Sequence, residues 1–302
     1  KLAIRFDDYD GLDLTRATLA ACLKYPWMRE PQNPTRNQKW GVYRSERDEF
    51  KFVKNAWSYD CRTAEAEIMD FADDIAYSVH DLEDLHRCAL VPWYQLLVGD
   101  EGNELVKSAL SKWYNAPSNG QQRLEAALAK LITFLQAAPE MISQPYEATR
   151  LHREQIRTLT SLLISICIRG IKLRDPDKFQ SEVTKRCVDI DPDVESLIRV
   201  MKQITRDFVT KNSALAAQQH GQTRILRALF DILFDEIHSF KLGHTNLRLL
   251  PRKFHHIANV QSETAARSVA DCIASLTESE VVALHSRLTG IGSGSVLDPI
   301  VR

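Results

Sequence analysis

Apolar residues recur along this chain of 302 residues at three- and four-residue intervals, with few period-two runs, and that spacing predicts helices rather than sheet. The predicted helices cover residues 14–24, 62–90, 103–114, 121–137, 147–172, 192–216, 219–240 and 263–287, and the fold class they imply is all-α. Local punctuation agrees: Asp13 or Thr15 is placed to cap the first helix, Pro26 follows its end, and Ser262 precedes Glu263 at the start of the last. Residues 30–45, with Pro31, Pro34 and Gly41, read as a loop with a short extended piece at 40–43. Pro117, Ser118, Asn119 and Gly120 supply a second turn. The terminal IGSGSVLDPIVR reads as loosely held.

Composition narrows the class. With 44% hydrophobic and 26% charged residues the chain reads as an ordinary soluble globular protein. A net charge of -1 gives no global basic field that would recommend nucleic acid as the principal partner. No apolar run approaches the roughly 20 residues needed to cross a bilayer, so no membrane partner is expected; the longest, 159–168, is interrupted by Thr160, Ser161 and Ser165. The opening KLAIRFDDYD brings in acidic residues before any apolar segment, unlike a secretory leader. The cysteines at 22, 61, 88, 167, 187 and 272 form no CxxC pair, which suits a reduced, cytoplasmic setting. Arg150, Arg153 and Arg157 make a basic stripe that reads as a solvated face.

One stretch asks for more. In ADDIAYSVHDLED, residues 72–84, a helix at about 100° per residue gathers Asp70, Asp73, Asp74, Tyr77, His80, Asp81 and Asp84 within an arc of about 120°. Ile68, Phe71, Ala72, Ile75, Ala76, Val79 and Leu82 fall opposite and read as the side that docks on a core. Carboxylates three and four residues apart repel by a few tenths of a kcal/mol each, and no Lys or Arg is interleaved to offset them. The arc is either a solvated acidic surface or a face that meets cations: a hard metal ion, a ligand's cations, or the protein's own. Tyr77, in the middle of the acids rather than on the apolar side, tilts the reading toward a site.

The run EAEIMDFADDIAYSVHDLED, from Glu65 to Asp84, resembles the signature of the deoxyguanosine triphosphate triphosphohydrolase family, within the HD-domain metal phosphohydrolases. GLDLTRATLAACLKYPW (Gly11 to Trp27), KWGVYRSERDEF (Lys39 to Phe50) and RSVADCIASLTESEVVALHSRL (Arg267 to Leu288) are similar to further blocks of that family in the same order, with RTLTSLLI and HGQTRILRALFDIL weaker matches between them. The resemblance implies an all-α, cytoplasmic, usually homo-oligomeric hydrolase that cleaves a deoxynucleoside triphosphate to deoxynucleoside and triphosphate with a divalent metal such as Mg or Mn. A dNTP or single-stranded DNA is the implied effector.

Carried over residue by residue, the resemblance makes Asp73 a metal ligand, sets Tyr77 against the sugar and places Asp81 near the sugar 3′-hydroxyl. Residues i, i+4 and i+8 share a helix face. A tyrosine packed on C2′ leaves no room for a ribose hydroxyl. Lys24 and Tyr25 match triphosphate-binding positions, and Lys39 is a third. The lysines' plain alternative is exposed charge near helix ends. His80-Asp81 is not the family's HD dyad: that dyad belongs to an earlier segment with a Gly- and His-rich continuation, whereas LEDLHR follows here. Nothing in the sequence at hand resembles the segment that carries the other metal ligands. The expectation is therefore a chain cut from a longer enzyme, with an inactive regulatory or assembly homologue as the alternative. Residues 1–100 are expected to be the remainder of an HD-type core and 101–302 a helical accessory and oligomerisation region.

Overall fold

The computed structural model describes residues 12, 14–55, 61–98, 100–138, 142, 145–174, 187–210, 212–259 and 264–292. Helices dominate these residues, and the one sheet among them is a two-stranded antiparallel pair. The chain divides into two compact units, Lys1–Val209 and Thr210–Arg302.

The first unit opens with α1 (Arg16–Ala21), capped by Thr15, whose hydroxyl accepts from the Thr18 N–H at 3.2 Å. Asp13, the other cap expected, lies outside the described residues. The segment read as a loop contains a short α2 (Pro34–Gln38): Asn33 caps it by accepting from the Thr35 and Arg36 amides, and Pro34 supplies a preset φ at the first turn. Its extended piece does form, as a parallel bridge between Met28 and Val42. There follow α3 (Arg47–Lys54), the long α4 (Ala64–Arg87), α5 (Trp93–Val98), α6 (Glu101–Ser111), α7 (Gly120–Gln136), α8 (Arg150–Arg169) and α9 (Pro192–Thr210). Strands β1 (Ile171–Leu173) and β2 (Val188–Ile190) pair with Ile171 opposite Ile190 and Leu173 opposite Val188.

Helix α4 packs on α8 and α1, and α6 on α7 and α5. One apolar cluster joins Phe71, Ile75, Val79 and Leu82 of α4 to Leu105 of α6, Leu131 of α7, Leu163 of α8 and Met201 of α9. Each such buried side chain contributes about 1.5–3 kcal/mol of transfer free energy. Packing is therefore continuous through residue 100, and the compact units part at 209/210.

The second unit is α10 (Ser213–Lys241), α11 (His255–Ala258), α12 (Ala265–Ala274) and α13 (Glu278–Leu288), around Leu233, Ile237, Phe254, Val269 and Cys272. Two expected spans change here. The helix predicted over 192–216 ends at Thr210, because Asn212 caps the next one, its side chain accepting from the Leu215 N–H at 3.0 Å. The span 263–287 is two helices: Thr277 and Glu280 form a reciprocal capping box that starts α13 afresh. Thr264 caps α12, and Ser262 lies outside the described residues, as do the last ten residues of the terminal stretch.

Candidate functional site

Helix α4 is the scaffold. Thr63 caps it by accepting from the Ala66 N–H at 3.1 Å, and Glu65 and Glu67 in the first turn complement the positive end of the helix dipole. Glu67 also accepts the backbone N–H groups of Cys187 and Val188 at 2.9 and 3.0 Å, which fastens β2 across the start of α4. Phe71, Ile75, Val79, Leu82 and Leu85 are buried. Ile68, Ala72 and Ala76, expected with them, are exposed: burial among the described residues follows Phe71, Ile75, Ser78, Val79 and Leu82, a narrower stripe than the full apolar side.

The acidic arc meets the protein's own cations. Lys24, in the turn after α1, places Nζ 2.5 Å from Asp70 Oδ1 and 3.0 Å from Asp73 Oδ2. Arg62, one residue before the cap, donates Nη1 to the other Asp70 oxygen. Lys202 of α9 lies 2.5 Å from Asp74 Oδ1. Burial opposes charge on both Lys24 and Asp70, but their mutual hydrogen bond and the neighbouring charges outweigh it, holding the Lys24 ammonium well above the usual lysine range and the Asp70 carboxyl below the usual carboxylate range.

Tyr25 is the next layer. The Arg62 guanidinium lies 5.5 Å and the Lys39 ammonium 5.8 Å from its ring centroid, within cation–π reach. Lys39 is brought there by backbone: Trp27 Nε1 donates to the Lys39 carbonyl at 2.8 Å, and Gly41 N–H donates to the Trp27 carbonyl at 3.3 Å. Gly41 is required for that approach, since a Cβ at this position would stand 2.5 Å from the Tyr25 carbonyl oxygen.

The structure thus brings together Lys24, Tyr25, Lys39 and Asp73 of the predicted set. Tyr77 and Asp81 follow Asp73 one and two turns further along α4, with the Tyr77 ring 61% exposed. Burial pushes the Asp81 carboxyl up, Asp84 adds to the effect, and His80 works against it. His80 is exposed, with Nδ1 3.6 Å from Glu83 Oε2. Arg62 and Lys202 were missed by the sequence reading, because only the fold sets residues 62 and 70, or 74 and 202, side by side; Asp70 was in the arc but undistinguished from its neighbours. Arg62, Asp70, Asp74, Arg199 and Lys202 border a pocket of about 240 Å³ with Phe71 and Ile198 in its wall.

Among the described residues no three His, Cys, Asp or Glu side chains converge as a metal-binding group. Asp73 presents a half-exposed carboxylate, whereas a hard divalent cation takes several oxygen ligands. The described residues therefore do not by themselves fit such an ion. Nor among them is any helix long and apolar enough to cross a membrane.

Comparison with known proteins places the chain. Residues 188–287 match the phosphohydrolase-associated domain. A deoxyguanosinetriphosphate triphosphohydrolase-like protein of Streptomyces coelicolor is 30% identical over 288 residues, covering 93% of this chain and 64% of that protein. One of Bifidobacterium longum is 26% identical over 296 residues, covering 92% of this chain and 58% of the relative. A third, of Corynebacterium efficiens, is 46% identical over 74 residues, 24% of this chain and 17% of the relative. The chain spans less than two thirds of the length of these relatives. Over most of its length the chain is similar to deoxyguanosinetriphosphate triphosphohydrolase-like proteins, and its residues 188–287 carry the phosphohydrolase-associated domain.

Proposed function

We propose that this chain supplies the sugar- and triphosphate-facing part of a site that hydrolyses deoxynucleoside triphosphates to deoxynucleoside and inorganic triphosphate. The observation that carries the reading is the bridge from Lys24 to Asp73, residues 49 positions apart in sequence, beside a Tyr25 ring approached by Lys39 and Arg62. A polyphosphate chain needs several cations at one place, and lysine ammonium groups meet it as point charges on long stems. Lys24 and Lys39 take that role and stabilise the negative charge that builds on the departing triphosphate. Tyr77 offers an exposed ring to the deoxyribose and closes the space a 2′-hydroxyl would need. Asp81 accepts a hydrogen bond from the 3′-hydroxyl.

A divalent cation is the cofactor of this reading, with Asp73 as one of its ligands; such an ion supplies Lewis-acid polarisation of a phosphoryl oxygen when bound. Homo-oligomer formation, a cytoplasmic setting and a nucleotide or single-stranded DNA effector belong to the same proposal. The test is Asp73→Ala in the full-length enzyme of this reading. The variant is expected to keep its fold by circular dichroism and to lose release of triphosphate from dNTPs in the presence of Mn²⁺; turnover equal to the parent protein overturns the assignment. Nucleotide binding without any turnover in the parent protein supports instead the regulatory homologue.

A further inference from the structure

Asp70 is not one of the residues to which the proposed function gives a role, yet both of its carboxylate oxygens are engaged by cations. One carboxylate oxygen holds the Lys24 ammonium at 2.5 Å and the other takes the Arg62 guanidinium, while Arg62 also lies 5.5 Å from the centre of the Tyr25 ring. The Asp70 side chain is 24% exposed against 39% for Asp73, so Asp70 is the more enclosed of the two carboxylates that share Lys24. Asp70 and Asp73 are one helical turn apart on α4, and a lysine stem reaches either from the same backbone position.

The two contacts of Lys24 differ in kind. Asp70 is held on both oxygens, by Lys24 on Oδ1 and by Arg62 Nη1 on Oδ2. Asp73 is more open and has the longer contact. An anion or a cation arriving at the site competes with the Lys24–Asp73 contact first.

Resting on the proposed function, the geometry points to Asp70, clamped by Arg62, as the positioning residue that presents Lys24 to the substrate's triphosphate. Asp70 itself touches no phosphate: its charge would repel one. This separates positioning from simple electrostatics by sign. Removing a nearby negative charge should tighten anion binding if Asp70 is merely a bystander, whereas without the tether a Lys24 that leaves Asp73 for the phosphate chain must be ordered by the phosphate alone, which costs rotamer entropy and weakens binding.

The experiment measures Kd for inorganic triphosphate and for dGTP by titration calorimetry on the full chain, for the parent protein, Asp70→Asn, Lys24→Gln and the double variant, with deoxyguanosine as the phosphate-free control. Asp70→Asn is expected to raise both phosphate-dependent Kd values about fivefold, on the scale of ordering one long side chain, and to leave deoxyguanosine binding unchanged. In the Lys24→Gln background Asp70→Asn is expected to add nothing, because the tether has no lysine to hold. Arg62→Gln is expected to follow Asp70→Asn with a smaller effect, Arg62→Lys restoring part of it.

If the parent protein binds neither dGTP nor inorganic triphosphate, the proposed function fails and this inference with it. If the parent binds and Asp70→Asn binds equally or more tightly, the function stands and the positioning role is overturned. The role is likewise overturned if Asp70→Asn costs as much without Lys24 as with it, or weakens deoxyguanosine to the same degree.

Discussion

Lys24→Gln tests whether the cluster at the start of α4 serves binding or stability. Lys24 makes two ion pairs, at 2.5 and 3.0 Å, with side chains that are 24% to 39% exposed, and its own side chain is 30% exposed. Pairs this open to solvent are worth about 0.2–1 kcal/mol each. Removing the lysine also relieves the burial that opposes its charge, and Asp70 keeps Arg62. The net cost to stability is therefore about 1 kcal/mol or less, a shift of a few degrees in Tm for a chain of this size. For a bound triphosphate the loss is one charge-assisted hydrogen bond, about 1.5–3 kcal/mol, which converts to roughly a 10- to 150-fold rise in Kd.

Differential scanning fluorimetry and calorimetry on the same preparation separate the two effects. A Tm drop well beyond these few degrees together with triphosphate affinity within twofold of the parent would refute the reasoning and make Lys24 a structural residue. The pH dependence has a definite sign. Lys24 is raised above 10.5, so its contribution is complete below that value and is lost only as pH climbs through the folded-state pKa; Asp70 is lowered below 3.8, so its contribution is complete above 3.8 and is lost in acid. The cluster's own contribution to stability is expected to stay flat between about pH 5 and 9, and a Lys24-dependent transition inside that window contradicts the assignment.

Three further predictions probe other links. Tyr77→Ala removes an exposed ring and is expected to change Tm by less than about 2 °C while lowering the deoxy-over-ribo preference in nucleotide binding by about tenfold; an unchanged preference removes Tyr77 from the sugar pocket. Buried His86 accepts from Trp93 Nε1 through its Nδ1 at 3.0 Å, Tyr146 packs edge-on against it, and His152, whose own Nδ1 accepts from the Glu147 amide, lies beyond. Burial first, then His152 and Arg87, lower the His86 pKa below 6.5, so its stabilisation is present above 6.5 and lost as pH falls through the folded value; urea unfolding should weaken from about pH 7.5 to 5.5, and His86→Gln should flatten part of that slope. Trp113 lies between the Arg123 and Arg199 guanidinium groups, 5.1 and 4.5 Å from its ring centre, and Trp113→Leu should cost about 1–2 kcal/mol in urea unfolding beyond the lost packing, with Arg199→Met in the same background adding little.

Local chemistry made much of this protein legible. The spacing of Phe71, Ile75, Val79 and Leu82 marked α4 and its buried stripe, and Asp73, Tyr77 and Asp81, singled out by the family resemblance, share a helix face by their i, i+4, i+8 spacing. Where local signals competed, the boundaries slipped. Thr277-Glu278-Ser279-Glu280 is a capping box, but Ile273 and Leu276 before it continue the apolar spacing, so one helix was read in place of two. Strands of three residues at 171–173 and 188–190 are too short to carry a period of their own, and Glu67 secures the second of them from 120 residues away. The partners of the acidic arc lay beyond sequence for the same reason: Lys24 reaches Asp70 and Lys202 reaches Asp74 only after α1 and α9 have docked beside α4. The acidic run was visible and asked for cations, and the fold named which ones.

The most direct test is the phosphorus spectrum of a dNTP incubated with Mn²⁺ and the complete enzyme of the proposed function, in which this chain is one part of the site. The account predicts the appearance of inorganic triphosphate and deoxynucleoside, lost on Asp73→Ala and weakened on Lys24→Gln. Release of orthophosphate or pyrophosphate as the first product, or a dNTP that neither binds nor turns over, would contradict it.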